Sequence, residues 1–276
     1  METVLLIVMG NQLYPNHKVG MLEGAGRDYP ALGPALMPVF MAEDLDLCSR
    51  FRYHRHKLLL ILSAMRSHRD FLSGRHSVYY YRIDDRRSYF EKLRDAVRQA
   101  GANALAAYEP DDFDVEARLE AYAARLGVPL YFRPSKSFLQ SGRAVCRELD
   151  TLKTPRLHTF YTRRRSSTGV LMAGEEPEGD TWSFDRENRK PFPKDIQFLP
   201  LPKADWTRHT RELADVITQL FPDNPGNPQD FFLPTSRVQA LKWMDSFLQY
   251  RLELFGPYED AIHQSELLGF HSLLSP

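Results

Sequence analysis

The first 133 residues alternate unbroken apolar runs with amphipathic stretches, and that alternation leaves few folds open. Val4 to Met9 is continuously apolar and ends at Gly10, the pattern of a strand buried on both faces of a parallel sheet. Leu36 to Met41 is a second such run, and the β-branched and aromatic stretch Val78 to Ile83 a third. Ala104 to Tyr108 and Val128 to Phe132 complete a set of five. Between them lie helical patterns. Leu58, Ile61, Leu62 and Met65 recur at helical spacing within residues 54–72; Tyr89 to Ala100 stops before Gly101; Val115 to Leu126 stops before Gly127. Strands alternating with helices predict a parallel sheet covered on both faces. Right-handed crossovers make residues 1–133 a doubly wound, Rossmann-like five-stranded α/β domain.

After Pro134 the periods fade. Residues 134–204 read as a long surface connector with scattered basic residues and a proline-rich end at Pro191, Pro193, Pro200 and Pro202. Residues 205–276 read as helical. Leu213, Val216, Ile217 and Leu220 form one apolar face, and Pro222 to Gly226 breaks the chain. Thr235 is placed to cap a long helix to Phe255 with Leu241, Met244, Leu248 and Leu252 on one side. Left uncovered, that face favours self-association.

Lys+Arg and Asp+Glu both number 36, so binding to nucleic acid by bulk charge is excluded while a local basic patch is not. The apolar runs are too short to cross a bilayer, and the amino terminus lacks a signal-peptide pattern, so no membrane partner is expected and the chain reads as cytoplasmic. Cys48 and Cys146 stand far apart, which excludes a zinc or iron–sulfur centre built by this chain alone.

In an open α/β sheet, ligands bind beyond the carboxyl ends of the strands where the strand order reverses. Gly10, Asn11, Gln12, Met41, Glu43 and Glu109 lie at such ends. Gly10 permits close backbone approach, and Asn11, Gln12 and Glu43 offer hydrogen-bonding groups to the polar edge of a ring-shaped ligand. The alternative is that Asn11 and Gln12 make a turn and a helix cap. Neither a GxGxxG fingerprint nor a P-loop is present. His54 and His56 are two residues apart and lack the spacing of a helical metal pair.

The segment Phe160-Tyr161-Thr162-Arg163-Arg164-Arg165, followed by Thr168-Gly169-Val170-Leu171-Met172 and then Trp182 to Lys190, resembles the cryptochrome/photolyase family. It is most similar to the photolyase-related branch that includes bacterial (6-4) photolyases of the iron–sulfur type. Gly10-Asn11-Gln12-Leu13, Met41-Ala42-Glu43, Ser63-Ala64-Met65-Arg66, Glu109-Pro110, Leu220 to Asn224 and the closing Phe270 to Pro276 fit the same branch, although relatives often carry Asp where Asn11 stands.

The resemblance implies a light-dependent DNA-repair flavoprotein, a lyase that uses FAD to reverse ultraviolet pyrimidine photoproducts in DNA. It implies a lumazine-type antenna near Gly10, Asn11, Gln12, Met41, Glu43 and Glu109. Ser272, Leu273, Leu274 and Ser275 match a segment that sits by the FAD phosphates. Arg163, Arg164, Arg165, Trp182, Asn188 and Arg189 match regions that approach DNA or the flavin cleft, although a charge run is equally a solvated helix face. Trp206 and Trp243 are assigned to packing. On this reading the chain is the front portion of such a protein, cut within its helical FAD-binding domain, inactive alone and without the branch's cluster cysteines. The alternative is a cryptochrome-like light-sensing or small-ligand-binding α/β module without repair activity.

Overall fold

The computed structural model describes residues 3–15, 37–200, 202–266 and 268–273. In chain order the elements are β1 (Val4–Ile7), β2 (Val39–Ala42), α1 (Leu45–Ser49), α2 (Arg55–Ser73), β3 (Val78–Tyr81), α3 (Tyr89–Ala100), β4 (Ala104–Tyr108), α4 (Phe113–Leu126) and β5 (Leu130–Arg133). There follow α5 (Gly142–Leu149), α6 (Leu157–Thr168), β6 (Met172–Ala173), β7 (Glu176–Pro177), α7 (Arg208–Leu220), α8 (Arg237–Tyr250) and α9 (Leu252–Phe255). Two compact units result: the described parts of 1–141 with 203–240, and those of 142–202 with 241–275.

The first unit is built on a five-stranded sheet in the order β3-β2-β1-β4-β5, with every neighbouring pair parallel. This is the doubly wound arrangement expected from the alternation. Side chains alternate across β1, so Val4 and Leu6 enter one core and Leu5 and Ile7 the other. The first core is completed by Leu58, Leu59, Leu62 and Met65 of α2 and by Leu213 and Ile217 of α7. The second is completed by Leu93 and Ala96 of α3 and by Leu119 and Ala123 of α4. Helix ends follow local chemistry. Ser88 and Glu91 form a reciprocal capping box at the start of α3, and Gly101, at φ +60°, supplies the left-handed turn that stops it. Asp112 accepts the Asp114 N–H, which starts α4 two residues before its apolar period does.

Except for β4, the strands are shorter than the apolar runs that announce them. β1 ends at Ile7, and β2 starts at Val39, Leu36 lying outside the described residues. The cap of α8 is Ser236, whose Oγ accepts from Gln239 N, and not Thr235. The Thr235 hydroxyl instead joins those of Thr207 and Thr210 in a buried cluster.

In the second unit, the stretch expected as an irregular connector contains α5, α6 and the β6–β7 pair. Phe192, Phe198, Tyr258 and Phe270 pack with ring centroids 4.9–6.1 Å apart where they meet. Trp243 is buried and donates Nε1–H to the Ser272 carbonyl at 3.0 Å, in keeping with its packing role. The long helix expected to Phe255 is broken at Arg251, which is buried and donates to the Pro200 carbonyl at 2.9 Å. Leu241, Leu248 and Leu252 are exposed.

Candidate functional site

Strand order reverses at β1, which has β2 on one side and β4 on the other. A cavity of about 320 Å³ opens there, beyond the carboxyl ends of these strands. Its floor is apolar and buried: Val8, Ala42, Leu62, Met65 and Leu119. Tyr89 and Tyr122, stacked at 6.2 Å and 23°, form an aromatic wall. The rim is polar. Asn11 donates Nδ2–H to Asp111 Oδ2 at 3.0 Å, tying the end of β1 to the loop after β4. Asp44, Asp112 and Arg118 complete it. An apolar slot with an aromatic wall and a few convergent polar groups suits a flat heteroaromatic ligand.

Gly10 is needed where it stands. A Cβ there would lie 2.9 Å from Ile61 Cγ2 and 3.0 Å from Met65 Sδ, so α2 packs directly on the bare backbone. Burial shifts the titratable groups of the wall toward their neutral forms. Burial raises the Asp44 carboxyl above its ordinary value, against the Leu47 and Asp46 backbone N–H groups that lower it. Burial, with the Asp44 and Glu43 charges, pushes the Cys48 thiol up to about 12, and burial with Asp44 also raises the Tyr89 phenol. Thiol and phenol therefore stay neutral at physiological pH.

Glu43, at the end of β2, is fully buried beneath this region and faces into the fold. Its carboxylate accepts from Arg66 Nε at 2.7 Å, Arg66 Nη2 at 3.0 Å, Tyr80 Oη at 2.6 Å and the Ile83 N–H at 2.8 Å. Four donors saturate it. Met41 is buried in the core. Gln12 is buried and donates Nε2–H to the Glu109 carbonyl at 2.9 Å, while its Oε1 meets no donor among the described residues. Of the six residues read as antenna contacts, Gly10 and Asn11 line the cavity and the other four lie outside its lining.

The histidine-rich stretch is a clamp. Arg55 donates to the carbonyls of Phe221, Pro222 and Gly226, and a ring nitrogen of His56 lies 2.7 Å from the Asn227 carbonyl. His54 Nδ1 caps α2 by accepting from His56 N. Together they hold the 221–227 loop onto the start of α2. No group of three or more His, Cys, Asp or Glu placed to hold a metal occurs among the described residues.

A profile of the deoxyribodipyrimidine photo-lyase-related protein family matches residues 6–233, which cover the sheet, the cavity and α6. The chain belongs to this family. It is also 29% identical over 275 residues to the (6-4) photolyase of Agrobacterium fabrum (strain C58 / ATCC 33970), an alignment covering 98% of this chain and 52% of that protein. The chain thus spans about half the length of that curated relative.

The photolyase-related motifs of the second unit divide by burial. Arg165 is 4% exposed and donates Nη1–H to the carbonyls of Thr181 and Trp182 at 3.0 and 2.9 Å, and Nη2–H to that of Leu171. Its guanidinium lies 5.6 Å from the Trp182 ring and 5.9 Å from the Tyr161 ring. The structure thus joins Arg165 and Trp182 in one internal contact. Arg164 pairs with Glu148 at 2.6 Å and lies over Phe160. Arg163 is exposed. Asn188 is half-buried and donates to Glu259 at 3.3 Å, and Arg189 is exposed beside Asp260 at 3.5 Å.

At the chain's close, Leu274 and Ser275 lie outside the described residues. The Leu273 N–H donates to His271 Nδ1 at 3.0 Å, and the Ser272 carbonyl is taken by Trp243. These two backbone groups are engaged internally. Sequence reasoning missed Asp44, Asp112, Arg118, Tyr89 and Tyr122 as cavity residues. Asp111 and Asp112 carried a signal, since they follow β4 directly at a strand end.

No helix among the described residues is long and apolar enough to cross a membrane.

Proposed function

We propose that this chain is the chromophore-holding and DNA-approaching portion of a light-dependent DNA-repair flavoprotein, and that the cavity beyond β1 and β4 binds a lumazine-type antenna. The observation that carries the reading is the cavity itself, an apolar slot with a tyrosine wall and a polar rim at the point where strand order reverses. Floor and wall hold a heteroaromatic ring by stacking and exclude water, and Asn11 with the rim carboxylates engages its polar edge. In the whole protein, FAD supplies the electron that reverses a pyrimidine photoproduct. No step through FAD is assigned to residues of this chain. Exposed Arg163 and Arg189 are the cationic groups proposed to meet the phosphates of ultraviolet-damaged DNA, with salt-dependent affinity. Exposed Leu241 and Leu248 favour self-association, which light scattering at two concentrations reads.

The test is a fluorescence titration of the purified chain with a ribityl-lumazine and with riboflavin. Saturable binding that Tyr122→Ala weakens and Arg163→Ala leaves unchanged supports the antenna reading. No saturable binding of either probe refutes it. A gel shift that does not prefer irradiated over intact DNA refutes the repair assignment and favours a light-sensing or ligand-binding module.

A further inference from the structure

The cavity's outer walls come from two elements far apart in sequence. Leu47 and Cys48 of α1 form one, and Asp112, Val115 and Arg118 around the start of α4 form the other. Arg50, just after α1, reaches from the first to the second. Its Nη2 is 2.6 Å from Asp114 Oδ2 and its Nη1 is 3.4 Å from Asp112 Oδ2. The three side chains are 34%, 64% and 51% exposed, and of them only Asp112 lines the cavity, so the ion pair ties the two walls together at the protein surface.

We propose that Arg50 is a salt-sensitive latch across the cavity mouth, setting how fast a heteroaromatic ligand enters and leaves. The inference rests on the cavity being the ligand site proposed above. α1 is an element suited to such control. It has five residues, none of them fully buried, and only Leu45 and Cys48 rest against the core. Its amino end is held by the Asp44 cap, and its carboxyl end is tied to α4 through Arg50. An exposed ion pair is weak and screened by salt, so it opens readily.

Cys48 supplies a readout that needs no ligand. Its thiol lies in the wall behind the latch, and exposed Cys146, in the other unit, serves as internal reference. The probe is an uncharged aromatic disulfide at mildly alkaline pH, so that salt acts on the latch and not on the reagent. Arg50→Gln is expected to raise the Cys48 labelling rate about two- to five-fold, the range set by one exposed pair, and to diminish its dependence on salt. Cys146 labelling stays unchanged. Asp114→Asn acts in the same direction but more weakly, because Arg50 keeps Asp112 at 3.4 Å, and adding it to Arg50→Gln changes nothing further. Dissociation of ribityl-lumazine, followed by stopped-flow fluorescence, accelerates in step.

Equal Cys48 labelling in Arg50→Gln and the parent, or a salt dependence undiminished by the substitution, overturns the latch. If labelling responds while no lumazine binds, the latch stands and the ligand reading falls. If lumazine binds and neither rate responds, the ligand reading stands and the latch falls.

Discussion

Arg66→Met isolates the buried charge pair under the cavity. Arg66 is 2% exposed and Glu43 is fully buried, and the substitution removes two of the four hydrogen bonds that the Glu43 carboxylate accepts. Methionine keeps much of the side-chain length, so little cavity forms. What remains is a buried carboxylate facing Tyr80 Oη and the Ile83 N–H. Lys92 Nζ donates to the Glu43 backbone carbonyl at 3.3 Å and is not placed on the carboxylate. Breaking one side of a buried pair costs about 3–5 kcal/mol. The two surviving donors place this case near the lower end, at about 3 kcal/mol. Adding Glu43→Gln removes the stranded charge, and the amide can accept from the Ile83 N–H through its oxygen while its NH2 donates to Tyr80 Oη, which rotates to accept. The double variant should therefore recover about 1–2 kcal/mol relative to Arg66→Met. Because the chain forms two units, one unfolding midpoint is not enough. Hydrogen exchange of the β1 and β4 amides under a urea series reads the first unit alone. A loss below about 1 kcal/mol, or a double variant whose cost is the sum of the singles, would refute the claim that this pair is energetically coupled.

Gly10→Ala places a Cβ against Ile61 and Met65, and the overpacking should cost about 1–3 kcal/mol by the same exchange measurement. Unchanged protection would show that α2 yields freely. Arg165→Leu removes the donor to the Thr181 and Trp182 carbonyls, while that of Leu171 keeps the Glu178 N–H at 2.8 Å, and should raise protease susceptibility in the second unit. Arg163→Leu, at an exposed position, should not; equal effects would contradict the difference in burial. His68 is 8% exposed, and burial, then Arg237 and His76, lowers its imidazole to about 4. Its folded value lies below its unfolded value near 6.5, so the unfolded chain takes up protons first as pH falls. Its contribution is full above about pH 6.5 and fades as pH approaches about 4, by about 2–3 kcal/mol in total. His68→Phe should flatten the stability profile in that window, and an unaltered profile would count against a neutral buried His68.

The parts of this molecule that were legible in the sequence are those determined by near neighbours in the chain. β1, β2 and β4 announce themselves because a strand buried on both faces must be apolar throughout, and α3 because Ser88, Glu91 and Gly101 write its two ends locally. Gly10 and Asn11 were found because the sheet's topology dictates where strand ends gather. The walls were not, because Tyr89, Tyr122 and Arg118 reach the cavity only once α3 and α4 have docked with a definite rotation. Glu43 shows the same divide. Its place at a strand end is local, but Arg66 meets it from 23 residues away on α2. The histidines make the point at longer range, since the clamp formed with His56 and Arg55 has its other half at residues 221–227.

The arginine run shows that this limit is physical. A charge run suggests a solvated face, and three consecutive residues on an α-helix fan across about 200° of its circumference. That fan leaves about 160° for a face against protein, so helix geometry alone does not force any of the three inward. Arg165 nevertheless is buried. Which of the three turns in depends on where a ring and a set of carbonyls await it. Trp182 and the carbonyls of Leu171, Thr181 and Trp182 stand 6 to 17 positions beyond Arg165, in a segment with little local period to predict its path. The buried arginine therefore reports the fold of residues 171–182 more than it reports α6. A charge-conserving Arg165→Lys, which keeps the cation but lacks the planar fork needed to serve three carbonyls, should disrupt that segment nearly as much as Arg165→Leu.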